Sequence, residues 1–504
     1  MKVGLFLNTQ FKPGTDMAAR VPEMVEQVRT ARAANGSALP FGFGLNGWIL
    51  GPYDNRSFWD ARLPDDWPLG SLNGHLGADP PDSAFADMPR RQQKWSQVGG
   101  AVRGYRIACM VSVRVSPRAS LAPLQPWAED DNDLTSAQLW VGRNLAHAAA
   151  ALAAGVTGLA SLQWRTRTVS PALTAVADFA WDPTLNASAF FVGWSAAAFG
   201  PPDVSGPAAA ILQSLDSAGM PRPISCDPGC LQPSYAQCSW PTVYAFVDEW
   251  AALRPALLTA VLAGAADRAM LERFDYAAGQ FSAMRGLARL ECDWAAYNTE
   301  LAALSAMPAG PAREAAAQSG GFAAFASLVA NASALMWDQL GYVSSYGDLA
   351  VTSQLLASLD DIVGNRSSAA ALAALAGTPL PPSCDPPRGF DPGRAPLLRV
   401  LTVRTLLEAW EPLNVRALVV GADPSLLVGV TLHWRPLGNA SAPYLDLVMA
   451  QAPPASGVVR RVYAASLPPQ PADFEWYVSA AVGDYALFFP PDAPAQPQTV
   501  VLLV

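Results

Sequence analysis

Lysine is almost missing from this 504-residue chain; it occurs only at Lys2, Lys12 and Lys94. Lysine and arginine together number 33 against 42 acids, for a net charge of −9. Phosphate recognition needs a basic face, so a nucleic-acid partner is not expected. Histidine is equally scarce, at His75, His147 and His433, and none lies near Cys226, Cys230 or Cys238. A zinc site is therefore not expected, nor any other metal or resident cofactor. No apolar run reaches the length that spans a bilayer, so no membrane span is expected. The opening MKVGLFLNTQ has too short an apolar core for a signal peptide, and no small-residue cleavage site follows it.

What remains is a globular composition, 51% hydrophobic and 15% charged, able to bury a sizeable core. Sixteen tryptophans serve either a large core or stacking against sugar rings. Cys226, Cys230 and Cys238 fall in a Pro/Gly/Ser-rich loop, the setting of an extracellular disulfide knot. Asn-X-Ser/Thr tripeptides begin at Asn55, Asn186, Asn331, Asn365 and Asn439. Cysteines and sequons together point to the secretory pathway or the extracellular space.

The chain reads as α/β: a partial or truncated (β/α) TIM-type barrel, then a helical domain, then a C-terminal immunoglobulin-like β-sandwich. The barrel-like part is 1–183. Val3–Leu7 and Asp16–Ala33 make one βα unit, and about four further strands fall between 40 and 165, too few to close a barrel. Residues 98–125 read as a foreign insertion; they hold Arg103, Arg106, Arg114 and Arg118, no acid, and no lasting period. Thr135 is the expected N-cap of a helix ending at Gly155. A strand over Val156–Trp164 follows, then a helix opened by Ser170-Pro171 with the serine as cap. This alternation implies a parallel sheet whose strand ends share one face. Residues 184–374 read as helical, interrupted by a loop at 221–240, and 375–396 as a linker. Residues 397–504 alternate in short strand-like runs at sandwich-like spacing.

Two polar clusters stand at successive strand ends. Trp127-Ala128-Glu129-Asp130-Asp131 sets three acids side by side, a repulsion that solvent or substrate must relieve. Gln163-Trp164-Arg165-Thr166-Arg167 closes the next apolar run. Glycoside hydrolysis needs a protonated carboxyl for the leaving oxygen and a second group as nucleophile, base or orienter. Glu129, Asp130 and Asp131 are the catalytic candidates, with Glu129 or Asp130 as the acid. Trp48, Trp127, Gln163, Trp164, Arg165 and Arg167 are candidates for binding a carbohydrate: the indoles would floor a subsite and the arginines bind hydroxyls or a carboxylate. The competing readings are that the acids cap the helix expected near Thr135, and that the arginines are their structural partners.

Gly44–Pro52, Leu63–Trp67, Pro126–Asp131 and Trp164–Arg167 follow one another in the order GxNGWxLGP, LPxDW, PWxEDD and WRTR. In that order, over roughly 40–300, the chain resembles a group of secreted glycoside hydrolases, similar in architecture to hexosaminidases and α-glucuronidases. The resemblance implies hydrolysis of a polysaccharide or glycan by carboxylate acid/base chemistry. That group tends to carry histidine where this chain has Gln163, so no titrating role falls on that position. The alternative is a non-catalytic carbohydrate-binding protein. Residues 1–32 resemble the start of luciferase-like flavin-dependent monooxygenases, which would imply a flavin pocket near Asn8. Nothing later resembles that family, and 1–34 read as a misjoined gene start.

Overall fold

The structure, a computed structural model, describes residues 139–153, 159–163, 169–218, 238–345, 366–384, 396–401, 403–420, 426–438, 441–452, 462–491 and 493–503. It also describes single residues and short stretches elsewhere, among them 6–7, 44–45, 69–71, 94–96, 109–113 and Arg167. The chain is mixed helix and sheet and divides into two compact units, 1–221 with 252–274 and 222–251 with 275–504.

In the first unit β1 (Phe6–Leu7) runs parallel to β2 (Gly44–Leu45), and β3 (Leu69–Ser71) parallel to β4 (Lys94–Ser96). Strand β5 (Cys109–Val113) pairs antiparallel with β6 (Leu159–Gln163). Strand β2 lies beside β3, and β4 beside β6. The antiparallel pair corrects the expectation of uniformly parallel strands. It also gives residues 98–125 a strand where none was expected. Met110, Val111 and Val113 suit a pleated strand, and a five-residue ladder to β6 satisfies its backbone despite the flanking arginines.

Helix α1 is Val141–Ala153; Ala137, Leu139 and Trp140, which the sequence pattern places in the helix, precede it. Trp140 takes a positive φ of 43°, which stops the helix from extending upstream. The cap comes from far away in the chain. Asp216, on a later helix, accepts from Val141 N at 2.9 Å and Gly142 N at 2.7 Å. Glycine is what permits this approach, since a Cβ on residue 142 would lie 2.9 Å from Asp216 Oδ2. Burial pushes the Asp216 carboxyl above its ordinary pKa, against the opposing pull of the two amides and of Arg143. Asp216→Ala should therefore lower stability by about 1–2 kcal/mol, read as a shift in urea midpoint. An unchanged midpoint would show that α1 needs no cap.

Helix α2 (Ser170–Trp181) starts where Ser-Pro predicts, but its N-cap is Val169 and no side chain caps it. Ser170 is instead the first helical residue, and its carbonyl accepts from Thr174 Oγ1. Helix α3 (Ala187–Phe199) is capped by Asn186, whose Oδ1 accepts from Ala189 N at 3.0 Å. It ends at Gly200, with φ of 75°, and α4 (Pro202–Ala218) follows. Phe199 meets Phe274 edge-on at 5.8 Å, and Arg273 Nε donates to Ala198 O at 3.1 Å.

The second unit takes the first residues of α5 (Phe246–Leu262) and most of α6 (Arg268–Ala306). Trp250 and Phe246 both pack edge-on against Phe281, at 5.1 and 5.2 Å. Cys238 is joined by a disulfide to Cys292 on α6. The loop cysteine thus finds a helical partner and not another member of a loop knot; Cys226 and Cys230 lie outside the described residues. Cys384, 3% exposed, places its Sγ 3.6 Å from Phe322 O.

Helix α7 (Pro311–Ala316) passes through a π-turn, Ala317–Gly321, into α8 (Phe322–Tyr342). A Cβ on Gly321 would lie 2.7 Å from Leu372 Cδ1, so only glycine lets α9 (Arg366–Ala376) approach this closely. Among the described residues, the helical stretch Pro311–Tyr342 is the one long and apolar enough to cross a membrane. Phe325, Leu328, Ala332 and Leu335 on it are buried in one cluster with Leu287, Leu290 and Tyr297 of α6, the packing of a core helix. No arrangement of several membrane spans is present among the described residues.

Beyond residue 396 two antiparallel-rich sheets share one apolar core. One holds β7 (Leu397–Leu401), β9 (Leu413–Val420), β12 (Ala450–Gln451) and β13 (Val462–Leu467), in the order β12-β13-β9-β7. The other runs β11-β10-β14-β16-β8, with β15 also on β14. Its strands are β8 (Leu406–Glu408), β10 (Leu427–Pro436), β11 (Leu445–Val448), β14 (Phe474–Val482), β15 (Tyr485–Phe489) and β16 (Gln498–Leu503). Alternation builds the core: Val430 and Leu432 from β10 meet Trp476, Val478 and Ala480 from β14, with Val415, Ala417 and Val419 from β9.

Candidate functional site

Of the residues that the sequence nominates, Trp48, Trp127, Glu129, Asp130, Asp131, Trp164 and Arg165 lie outside the described residues, as does Asn8. The backbone of Gln163 is described; it is the last residue of β6, opposite Cys109. The polar cluster 163–167 therefore begins where a strand ends and is followed at Ser170 by a helix. Arg167 Nη1 donates to Glu272 Oε1 at 3.0 Å. With the two side chains 32% and 48% exposed, this ion pair is worth at most about 1 kcal/mol. It nevertheless orients the guanidinium toward α6, so part of Arg167's donor capacity is structural.

The helix that could have employed Glu129–Asp131 as caps starts at Val141, and its first amides are occupied by Asp216. The capping function that competes for those acids is filled.

A second polar cluster, which the sequence did not reveal, lies on the outer face of the β10–β11–β14 sheet. Register sets His433 between Asp446 on β11 and Tyr477 on β14. His433 Nδ1 is 2.7 Å from Asp446 Oδ1, and Nε2 is 2.8 Å from Ser479 Oγ. The Tyr477 ring stacks on the imidazole at 4.3 Å, and Tyr444 meets Tyr477 edge-on at 4.8 Å. Arg435 lies 4.3 Å over the Tyr444 ring, and its Nε pairs with Glu475. Tyr444 Oη donates to the same carboxylate at 3.1 Å, and burial with that charge pushes the phenol up to about 12. Burial, reinforced by Asp446, also raises Tyr477.

Serine, imidazole and carboxylate are connected here as in acyl-transfer enzymes. Such chemistry also needs amide donors aimed at a developing oxyanion. Strand β14 is paired on both sides at Ser479, to Thr431 and to Phe488, which commits the local amides to the ladder. The arrangement is a clamp across three strands. A double-mutant cycle between His433→Ala and Asp446→Ala should give a coupling of about 1 kcal/mol in thermal or urea unfolding. A coupling near zero would mean that Asp446, 64% exposed, holds nothing.

One acid in the second unit is isolated. Glu291 on α6 is 3% exposed, and neither carboxylate oxygen has a hydrogen-bond partner. Burial alone pushes it up to about 8. Among the described residues no three His, Cys, Asp or Glu side chains gather as a metal site would require.

Comparison with known proteins adds no relative: no protein-family profile matches the chain, and no curated protein matches it.

Proposed function

We propose that the chain is a glycoside hydrolase whose catalytic part is a (β/α) barrel within the first unit. The helical region and an immunoglobulin-like sandwich beyond residue 396 serve as accessory modules. Glu129 or Asp130 protonates the leaving oxygen, and the neighbouring carboxylates orient the sugar and stabilise positive charge at the anomeric carbon. Trp48, Trp127 and Trp164 provide the apolar floor, with Gln163, Arg165 and Arg167 as polar contacts. The observation that carries this reading is the Asp216 cap. It fills the α1 cap, one structural duty that would compete for the triple-acid run. The parallel pairs β1–β2 and β3–β4 support barrel-type pairing. The Cys238–Cys292 disulfide supports an oxidising compartment. The test is turnover of a panel of aryl glycosides by the parent chain and by the Glu129→Gln and Asp130→Asn variants.

A non-catalytic carbohydrate-binding role is the second reading. It is favoured by two solvent-facing indoles, Trp181 at 74% and Trp410 at 75% exposure. It predicts saturable glycan binding without turnover, lost on Trp→Ala at either position.

A further inference from the structure

The tetrapeptide Asn-Ala-Ser-Ala occurs at Asn186, Asn331 and Asn439; Asn439 lies outside the described residues, and the first two copies fold into opposite settings. We propose that Asn186 carries an N-linked glycan and that Asn331 does not. This rests on the secretory reading above.

Asn186 is exposed, and its backbone is extended, with φ −114° and ψ 164°. As N-cap of α3 it uses its carbonyl oxygen, which accepts from Ala189 N at 3.0 Å. The cap thus occupies only the oxygen and leaves Nδ2, the atom that becomes glycosylated, for solvent. Ser188, the hydroxyl member of the tripeptide, is exposed as well. The same α2–α3 corner also holds Trp181, 74% exposed.

Asn331 differs at every point. It lies inside α8, half-buried, and its Nδ2 donates to Asp293 Oδ2 on α6. Its neighbours Ala332 and Val329 are 0% and 6% exposed in the core between these helices. A glycan on that nitrogen would break the interhelical bond and would have to leave through packed side chains.

In the transfer, Nδ2 of Asn186 forms a bond to the anomeric carbon of an N-acetylhexosamine. The bond from that carbon to the diphosphate oxygen of a lipid-linked oligosaccharide donor breaks. The lipid diphosphate leaves with the electron pair, and the amide gives up one proton to the transferase's base.

The experiment expresses the full chain behind a cleavable secretion leader in a eukaryotic host. Secreted protein is deglycosylated by peptide-N-glycosidase in heavy-oxygen water and mapped by mass spectrometry. Asn186 should appear as heavy-oxygen aspartate in most molecules, and Asn331 as unlabelled asparagine. Asn186→Asp, which preserves the helix cap, should still be secreted but lack one glycan, whereas Asn331→Asp should lose none. Secreted protein with Asn186 bare, or with Asn331 labelled, overturns the proposal and leaves the secretory reading standing. Recovery of the native chain from the cytosol overturns the secretory reading, and this proposal with it.

Discussion

Glu129→Gln and Asp130→Asn should split the hydrolysis of aryl glycosides into two distinguishable losses. The variant lacking the general acid should fall by about a hundredfold to ten-thousandfold on substrates with poor leaving groups. On a dinitrophenyl glycoside its kcat/KM should stay close to the parent, because a good leaving group departs without a proton. The variant lacking the charge-stabilising or nucleophilic carboxylate should fall on both substrate types. The glutamine and asparagine replacements keep shape and remove charge, which limits damage to the fold. Each variant is compared with the parent for kcat and for unfolding midpoint. A parent that turns over some glycoside while both variants match it would remove these acids from catalysis. A parent that binds glycans and cleaves none would move the function to the second reading.

Glu291→Gln carries the largest expected effect on stability, and its sign depends on pH. The folded-state pKa of Glu291, about 8, lies well above the ordinary carboxylate value of 4.5. Below that ordinary value the group is protonated in both states and costs the fold nothing. As pH rises toward 8 the unfolded chain ionises it and the folded chain holds the proton, so stability is lost across that window. A shift of this size corresponds to about 4 kcal/mol by pH 8. Glutamine does not titrate, so the variant should gain about that much on the parent between pH 4 and pH 8. Urea midpoints at pH 4, 6 and 8 measure it. Midpoints that run parallel for the two proteins would show that Glu291 is solvated or paired.

Sequence periodicity located the helices well where they pack on their own apolar face. The pattern over Ala266–Leu304 predicts nearly the whole of α6, and Pro241–Leu262 contains α5. It fails where the decisive contact comes from elsewhere in the chain. Nothing near Thr135 reveals that Asp216 will cap α1 at Val141, because that partner is 75 residues away. Cys238 reads as a loop cysteine, yet its partner lies on a helix 54 residues later. In the C-terminal region the alternating runs at Ala417–Val420, Leu427–Trp434 and Glu475–Val482 correspond to β9, β10 and β14. The edge strand β11 and the strand β15 escaped, since short strands with exposed outward residues carry little alternation. For the same reason the His433 cluster was invisible: its members come from three strands, and only cross-strand register brings them together. The acid run lies outside the described residues, and the Gln163–Arg167 cluster is described only at Gln163 and Arg167. Their identification rested on residue type, and of that second cluster β6 fixes the point where it begins.

The long-range cap also imposes an order on biosynthesis. Helix α1 leaves the ribosome well before the residue that completes its first turn, which follows 75 residues later. At about 5–20 residues per second, that interval is on the order of 4 to 15 s. For that time the Val141 and Gly142 amides must be satisfied by water, and the helix frays from its leading end. A stall or cleavage between α1 and Asp216 would therefore leave the first turn of α1 without its cap.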